Sequence, residues 1–312
     1  MRGLELSEKF YREYGEKAIA ENFPEYKDRI AAGLAGEGSE CMGFDDDFSR
    51  DHDFDAGFCL WVTEQDYGKI GFRLERVYAK LPKEFMGVKR GVLSPVGGNR
   101  KGVSTIESFY TKFLGAPSAP DSTERWLYTP PEMLAQACNG KVFSDPLGEF
   151  SKIRNELIKG YPQDVRKKKL AAHLAFMAQS GQYNYGRLIR RGETGAAQLA
   201  VFEFVKHALS AVYLINNAYE PFYKWVYKGL RKLPILSDLE TALAGLTELG
   251  NSEKEARGKA EIIEGVCAKI AEQLKAERLS DATCNDLEKH AYSVTDKIVD
   301  GELRNMHVMD GI

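Results

Sequence analysis

The spacing of apolar residues changes along the chain, from short apolar runs to long helical periods. Strand-length apolar runs occur at residues 31–36, 58–62 and 91–93. Apolar residues at helical spacing occur at 5–20, 64–81 and 106–114. A short apolar run bounded by turn residues is typical of a buried strand, and a three-to-four-residue period is typical of an amphipathic helix. The first part of the chain is therefore predicted to form a small mixed β-sheet with helices.

Helical periods dominate from about residue 130 onward, and hardly any strand pattern remains there. Helices are predicted at residues 133–136, 147–158, 165–179, 195–217, 221–233, 237–249, 253–279 and 282–299. Four prolines between Pro117 and Pro131 indicate a linker. The predicted fold class is α+β, with a sheet-containing domain at 1–125 followed by an all-α helical bundle at 126–312.

Composition excludes several classes of protein. The chain has 312 residues, 43% of them hydrophobic and 29% charged, which suits a globular protein of about two domains. No apolar run is expected to reach membrane-spanning length, and a cytoplasmic protein is predicted. The five cysteines are far apart, so reduced packing thiols are favoured over disulfides or a zinc site. With a net charge of −3, any binding to a polyanion has to be local.

The stretch from Glu37 to Asp55 carries eight acidic residues and a single Lys or Arg, Arg50. Residues two apart on a strand point to the same face, so the carboxylates of Asp51 and Asp53 can reach one cation. Oxygen ligands at this spacing suit Mg²⁺. An EF-hand loop is excluded because no frame supplies both its glycine and its final glutamate. A solvated acidic loop stays open as an alternative.

A Gly-Ser pair, Gly38-Ser39, precedes the two aspartates by eleven residues. A glycine turn lets backbone amides approach a phosphate closely because no Cβ intervenes, and the serine adds a hydroxyl. Gly38 and Ser39 are therefore candidates for binding the phosphates of a nucleoside triphosphate, with Arg50 orienting a phosphate or the carboxylates.

The segment from Gly38 to Asp53, GSECMGFDDDFSRDHD, resembles a bacterial nucleotidyltransferase-like family that is described only as a domain of unknown function, within the DNA polymerase β nucleotidyltransferase superfamily. Further similar segments bring the resemblance to about residues 5–235; they lie at 108–115, 140–143, 179–185 and 223–225. The resemblance implies a two-domain α+β enzyme, related in architecture to kanamycin nucleotidyltransferase. The superfamily supplies a third carboxylate from a later strand. The expected place, 102–105, has none, and Glu107 is a weak substitute.

The helical half holds basic and aromatic candidates. Lys224 is predicted to contact a triphosphate from a helix that begins at Pro221, with a solvated helix face as the alternative. Tyr183 and Arg187 combine a stacking surface with a cation, as nucleotide sites do, or else belong to an ordinary turn. The run of four basic residues at 166–169 is interpreted as a solvated face, and His173 and His207 as core histidines.

The predicted function is transfer of a nucleoside monophosphate from Mg²⁺-bound NTP, with ATP favoured, to an acceptor hydroxyl. Asp51 and Asp53 are the predicted catalytic residues and metal ligands. The acceptor is left open among a small molecule, a tRNA and a protein, and so is the oligomeric state. Two other classes stay open: a nucleotide sensor without catalysis, and an interaction protein that uses the terminal helices.

Overall fold

The computed structural model describes residues 1–46, 54–91 and 100–312, and these pack into two compact units. The first unit, called the sheet unit, comprises 1–121 and 129–159, and the second, called the helical unit, comprises 122–128 and 160–312. A small mixed sheet combined with many helices confirms the predicted α+β class. The division differs from the predicted boundary at 125, because residues 129–159 pack with the N-terminal sheet.

The described part of the sheet unit contains a four-stranded sheet in the order β5-β2-β1-β6 and a two-stranded hairpin, β3-β4. The strands are β1 Ala31–Leu34, β2 Cys59–Val62, β3 Glu84–Phe85, β4 Val88–Lys89, β5 Gly102–Thr105 and β6 Lys141–Ser144. β1 is antiparallel to both β2 and β6, whereas β2 is parallel to β5. The predicted strand at 91–93 lies mostly outside the described residues.

The two central strands form where the sequence has its continuous apolar runs. All four residues of β1 and all four of β2 are buried, as expected for strands covered on both faces. Trp61 of β2 stacks on Phe150 with ring centroids 3.9 Å apart. A Cβ on Gly33 would lie 2.8 Å from the Trp61 indole, so this glycine leaves the room that the ring occupies.

Strand β6 was not predicted, because the sequence after residue 130 was interpreted as helical. It is a four-residue edge strand, and its backbone joins the sheet through pairs such as Gly33 with Val142. Gly140 precedes it at φ +64°, and a Cβ there would lie 2.0 Å from the carbonyl oxygen of Leu34. A short, partly exposed edge strand leaves little periodic signal in the sequence.

Helices of the sheet unit largely follow the predicted positions. They are α1 Gly3–Phe10, α2 Glu16–Asn22, α3 Ser39–Met42, α4 Glu64–Lys80 and α5 Ile106–Leu114. The predicted helix at 5–20 is α1 and α2 joined by a π-helical turn, Tyr11–Gly15. The hydroxyls of Thr63 and Thr105 cap α4 and α5, at 3.2 and 2.9 Å, and α5 ends at Gly115.

Two further helices lie between α5 and the helical unit's main run: α6 Thr123–Tyr128 belongs to the helical unit, while α7 Pro131–Cys138 belongs to the sheet unit. Helix α8, Glu149–Ile158, also packs in the sheet unit. The rest of the helical unit consists of α9 Gln163–Met177, α10 Gly186–Arg190, α11 Thr194–Ile215, α12 Val226–Leu230, α13 Glu240–Glu248, α14 Glu253–Ala276, α15 Leu287–Asp296 and α16 Gly301–Asn305. A π-helical segment, Ala178–Tyr185, joins α9 to α10.

Helix α11 is long and apolar enough to span a membrane, judged by length and composition alone. No segment of that kind is predicted from the sequence. It has 22 residues and a window of mean hydropathy 1.3, of which 67% is buried inside the structure. Buried residues such as Phe204 and Val212 pack in the helical unit, where α11 contacts α9. Burial of this extent is typical of a core helix in a soluble protein.

The basic run at 166–169 is not a solvated face, as was predicted; its cations bind backbone carbonyls inside the helical unit. Lys168 Nζ donates to the carbonyl oxygens of His307 and Val308 at 2.5 and 3.3 Å. Lys169 Nζ donates to Leu127 and Gly311 at 2.7 and 3.0 Å. Lys168 is 0% exposed, and desolvation lowers the pKa of Lys169 to about 8. These lysines hold the C-terminal segment against α9.

Candidate functional site

One end of the four-stranded sheet is formed by the last residue of β1 and the first residues of the other three strands. Leu34 ends β1 there, and Cys59, Gly102 and Lys141 begin β2, β5 and β6 at that same end, because β1 runs opposite to its two neighbours. We call this end of the sheet the glycine-turn end, after the turn that follows β1. The sequence candidates Gly38 and Ser39 lie here.

The glycine turn is a real backbone feature. Gly38 has φ +117° and ψ 148°, a conformation open to glycine and strained for other residues, and Ser39 follows it as the first residue of α3. A Cβ on Gly38 would lie 1.8 Å from Nη2 of Arg100. The missing side chain therefore lets a guanidinium lie directly on the turn.

Asn139 holds the beginning of this turn in place. Its Oδ1 accepts a hydrogen bond from the Gly36 amide, and its Nδ2 donates to the Gly36 carbonyl, both at 2.8 Å. The amide of Gly140 also donates to the carbonyl of Cys41 at 2.9 Å. The residues that lead into β6 thus fix the turn that follows β1, although about a hundred residues separate the two segments.

Two cations that the sequence analysis did not single out lie at the glycine-turn end. Arg100 Nη2 donates to the carbonyl of Glu37 at 2.8 Å and to Glu40 Oε1 at 2.9 Å. Lys101 Nζ lies 3.3 Å from Glu40 Oε1 and 3.3 Å from Asp55 Oδ1. The side chains of Glu40 and Lys101 are 4% and 7% exposed, so this pair is shielded from water. The available signal was a basic pair directly before the strand at 102–105.

The predicted metal ligands Asp51 and Asp53, and the neighbouring Arg50, lie outside the described residues. Within the described ranges, no group of three or more His, Cys, Asp or Glu side chains is placed to hold a metal ion. Three described carboxylates at this end face cations: Glu37 with Lys112 at 2.9 Å, Glu40 with Arg100 and Lys101, and Asp55 with Lys101. The described residues alone therefore do not form a Mg²⁺ site.

Glu107, the weak substitute for a third carboxylate, lies at the opposite end of β2 and β5. It follows Thr105, which pairs with Val62 at the carboxyl ends of these strands, about 10 Å from the Gly102 end at the usual rise per residue. Its Oε1 accepts from the backbone amide of Glu64 at 3.4 Å, at the start of α4. Glu107 therefore belongs to the packing of α4 and α5 and cannot join Gly38.

All five cysteines are free thiols in the structure. Burial raises the pKa of Cys59 to about 11 and that of Cys41 further still, so both remain protonated near neutral pH. Cys41 donates to the carbonyl of Glu37 and Cys59 to that of Arg100, at 3.3 and 3.4 Å. They are packing residues beside the glycine turn rather than nucleophiles.

The remaining candidates lie in the helical unit. Tyr183, in the π-helical segment, is 58% exposed, and the Arg187 guanidinium lies 4.6 Å from its ring centroid. Lys224 is exposed, in a single 3₁₀ turn, Tyr223–Trp225, that runs directly into α12, so helical structure covers 223–230 rather than the predicted 221–233. The ammonium groups of Lys224 and Lys228 each lie 5.5 Å from the Trp225 ring. Nucleotide binding by Tyr183, Arg187 and Lys224 stays a prediction.

His173 and His207 are core histidines, as predicted, and they contact each other. Their Nδ1 atoms are 2.9 Å apart, and the ring of His207 stacks on Phe176. Burial lowers the pKa of both rings, that of His207 to about 4. The pair is neutral at physiological pH, with one Nδ1 donating to the other.

The fold and these contacts define the class: an α+β protein whose sheet unit carries a glycine turn faced by Arg100 and by the buried Lys101, and whose helical unit contains a core histidine pair. Residues 126–226 match the family model described as Domain of unknown function (DUF4037). This match covers less than half of the chain. A comparison of the chain with curated proteins found no match.

Among solved structures, the chain is similar to a nucleotidyltransferase-like protein from Exiguobacterium sibiricum 255-15. The identity is 11% and the TM-score 0.37, over 92% of this chain and 81% of that one. A likeness this weak assigns neither fold nor function.

Proposed function

We propose that this protein is a nucleotidyltransferase that transfers the nucleoside monophosphate of an NTP, ATP in the first instance, to an acceptor hydroxyl with release of pyrophosphate. One observation supports it most: Gly38 forms a turn with positive φ, at the end of the sheet where β2 begins, with the guanidinium of Arg100 lying on it. A glycine turn that carries a cation suits the oxygens of a phosphate group.

In this proposal the triphosphate binds at the glycine-turn end, with Gly38 and Ser39 approaching its oxygens. Arg100 places positive charge at the turn, and Lys101 offsets the charge of Glu40 and Asp55 beneath it. The acceptor hydroxyl loses its proton to solvent and its oxygen attacks the α-phosphorus in line. The bond from that phosphorus to the oxygen bridging to the β-phosphate breaks, and pyrophosphate leaves with the electron pair. Arg100 then stabilises charge that develops on the phosphates.

The carboxylates of the proposed reaction, Asp51 and Asp53, come from the sequence motif alone. They would hold Mg²⁺, which when bound supplies charge neutralisation and alignment of the triphosphate. Arg50 is a further proposed phosphate contact, and nucleotide contacts by Lys224, Tyr183 and Arg187 of the helical unit stay predictions from the sequence. We further propose a cytoplasmic location, in keeping with the free thiols.

The first test uses the substitution Asp53→Asn. Mg²⁺ and ATP together are expected to raise the melting temperature more than the sum of their separate effects, since metal and phosphate share one site. Asp53→Asn should abolish that synergy and pyrophosphate release, while the melt in EDTA stays unchanged or rises because one of two repelling carboxylates is removed. A sharp fall of the EDTA melt with persisting release would refute the assignment.

The glycine turn offers a second arm with a matched control. Gly38→Ala is expected to weaken ATP binding at least tenfold and to lower the free energy of unfolding by about 1–3 kcal/mol, because the new methyl displaces Arg100 and the backbone is strained. Gly115→Ala also has positive φ, +70°, but its Cβ meets no atom within 4 Å. Gly115→Ala should therefore lower the free energy of unfolding and leave ATP affinity unchanged. Equal ATP affinity in both variants would remove Gly38 from the phosphate site.

A further inference from the structure

A cavity of about 570 Å³ is lined entirely by residues of the helical unit. One wall is the π-helical segment, with Gln182, Tyr183 and Asn184. A second is the start of α15, and a third is the C-terminal segment at 307–309. Its volume is in the range of small-molecule sites.

Hydrogen bonds from two buried lysines fix the wall that the C-terminal segment forms. Lys168, fully buried, donates to the carbonyls of His307 and Val308, and Lys169 donates to that of Gly311. Gln182 joins the other two walls, since its Oε1 accepts from the Leu287 amide at 3.0 Å and its Nε2 donates to the Asn285 carbonyl at 3.0 Å. Buried lysines therefore fix the C-terminal wall, and Gln182 joins the other two walls.

The side chains that line the cavity favour a cation. Its lining contains two carboxylates, Asp286 and Glu288, and one histidine, His307, and neither a lysine nor an arginine contributes to it. Tyr183 and Tyr292 line it with phenol rings that are 58% and 52% exposed. Aromatic faces and carboxylates together attract ammonium groups. Tyr183 already receives one cation, the guanidinium of Arg187.

An anion would find little to bind in the same place. The first amides of α15 are the natural anion donors, but Gln182 occupies the Leu287 amide and Asp286 Oδ1 occupies that of Glu288 at 3.0 Å. The carboxylates of Asp286 and Glu288 repel phosphate as well. A triphosphate is therefore a poor ligand here, although Tyr183 is among the nucleotide candidates.

From this geometry we propose that the helical unit contains a binding site for a small organic polyamine cation, with ammonium groups at Asp286 and Glu288 and the carbon chain over Tyr292 and Tyr183. Glu288 and Tyr292 are one helical turn apart on α15, so one ligand can contact both. The amides of Gln179 and Asn184 supply further acceptors. This site does not depend on the proposed nucleotidyl transfer.

The probe is spermidine, titrated by calorimetry into the full chain at low salt. Glu288→Gln and Asp286→Asn keep the side-chain shapes, and the asparagine retains the cap on α15. Together they should weaken spermidine binding by roughly a hundredfold, about tenfold for each lost charge-assisted hydrogen bond. Tyr292→Leu should weaken it several-fold with little change in the melting temperature.

The matched control neutralises two exposed carboxylates elsewhere in the helical unit, Glu261→Gln with Glu272→Gln on α14. It makes the same change in net charge, so its affinity for spermidine should stay within about threefold of wild type if binding is local. Equal weakening by the control pair, or no heat with spermidine, would overturn the proposal. ATP binding that is lost in Tyr183→Ala and strengthened by the Asp286 and Glu288 changes would overturn it too, since the cavity would then be a nucleotide site.

Discussion

Acidification is expected to destabilise the helical unit through the buried histidine pair. The Nδ1 atoms of His173 and His207 lie 2.9 Å apart, and a second proton there would set two N–H donors against each other. Burial is the main cause of the low pKa of His207, and the charge of Lys206 adds to it, while Glu203 acts in the opposite direction. For His173, burial is again first, followed by the charges of His207, Lys169 and Lys206.

The magnitude follows from the difference between the two states. The pKa of His207 is about 4 in the folded protein and 6.5 for an ordinary histidine, which corresponds to about 3 kcal/mol at ~1.4 kcal/mol per pH unit. Because the folded pKa is the lower one, the unfolded chain binds more protons between these values. Stability is therefore complete above pH 6.5 and is lost as pH falls towards about 4.

The assay is urea unfolding of wild type and of His207→Asn at a series of pH values, together with NMR titration of the histidine ring protons. Asparagine can accept or donate a hydrogen bond near the Nδ1 position but does not titrate, so wild type should lose about 2–3 kcal/mol more than the variant between pH 6.5 and 4. The control His307→Asn removes an exposed histidine and should behave like wild type. Parallel curves for wild type and His207→Asn, or a His207 ring that titrates near 6.5, would refute the reasoning.

Two further predictions concern packing in the helical unit. Gly181→Ala should lower the free energy of unfolding by about 1–3 kcal/mol, because its Cβ would lie 2.4 Å from the Phe204 ring, whereas Gly258→Ala in α14 meets no atom within 4 Å and should raise it by ~0.5–1 kcal/mol. Thermal melts that move in the same direction for both would contradict the contact. Lys168→Met should lower the free energy of unfolding by about 1–3 kcal/mol, because two carbonyls lose their donor. The control Lys254→Met removes an exposed lysine and should change that free energy by no more than ~0.5 kcal/mol. If chemical denaturation does not distinguish the two variants, the carbonyl contacts contribute little.

The elements that the sequence predicted well are those with local causes. Helices α4 and α5 were found from their apolar period, and each has a threonine cap at one end, so the signal lies within a few consecutive residues. Strands β1 and β2 were found because central strands need continuous apolar runs. The glycine turn was found because only glycine takes the backbone angles of Gly38 without strain.

Predictions from the sequence were wrong where the local pattern fits more than one structure. The strand Lys141–Ser144 is short and lies at an edge, and it was interpreted as part of the helical half. The basic run at 166–169 looks like a solvated face, yet Lys168 is buried. A buried lysine is stable there because carbonyls of the C-terminal segment accept its hydrogen bonds, and those carbonyls are 139 and 140 residues away in the sequence.

The sequence by itself therefore determined the α+β class, the central strands, the capped helices and the glycine turn, since each depends on backbone preferences and on neighbours a few residues away. The tertiary structure alone decided that Arg100 lies on Gly38, that Asn139 holds Gly36, that Glu107 faces α4, and that the walls of the polyamine cavity meet. These contacts join segments tens to more than a hundred residues apart. Their formation depends on strand register and helix packing, which hydrophobic periodicity does not encode.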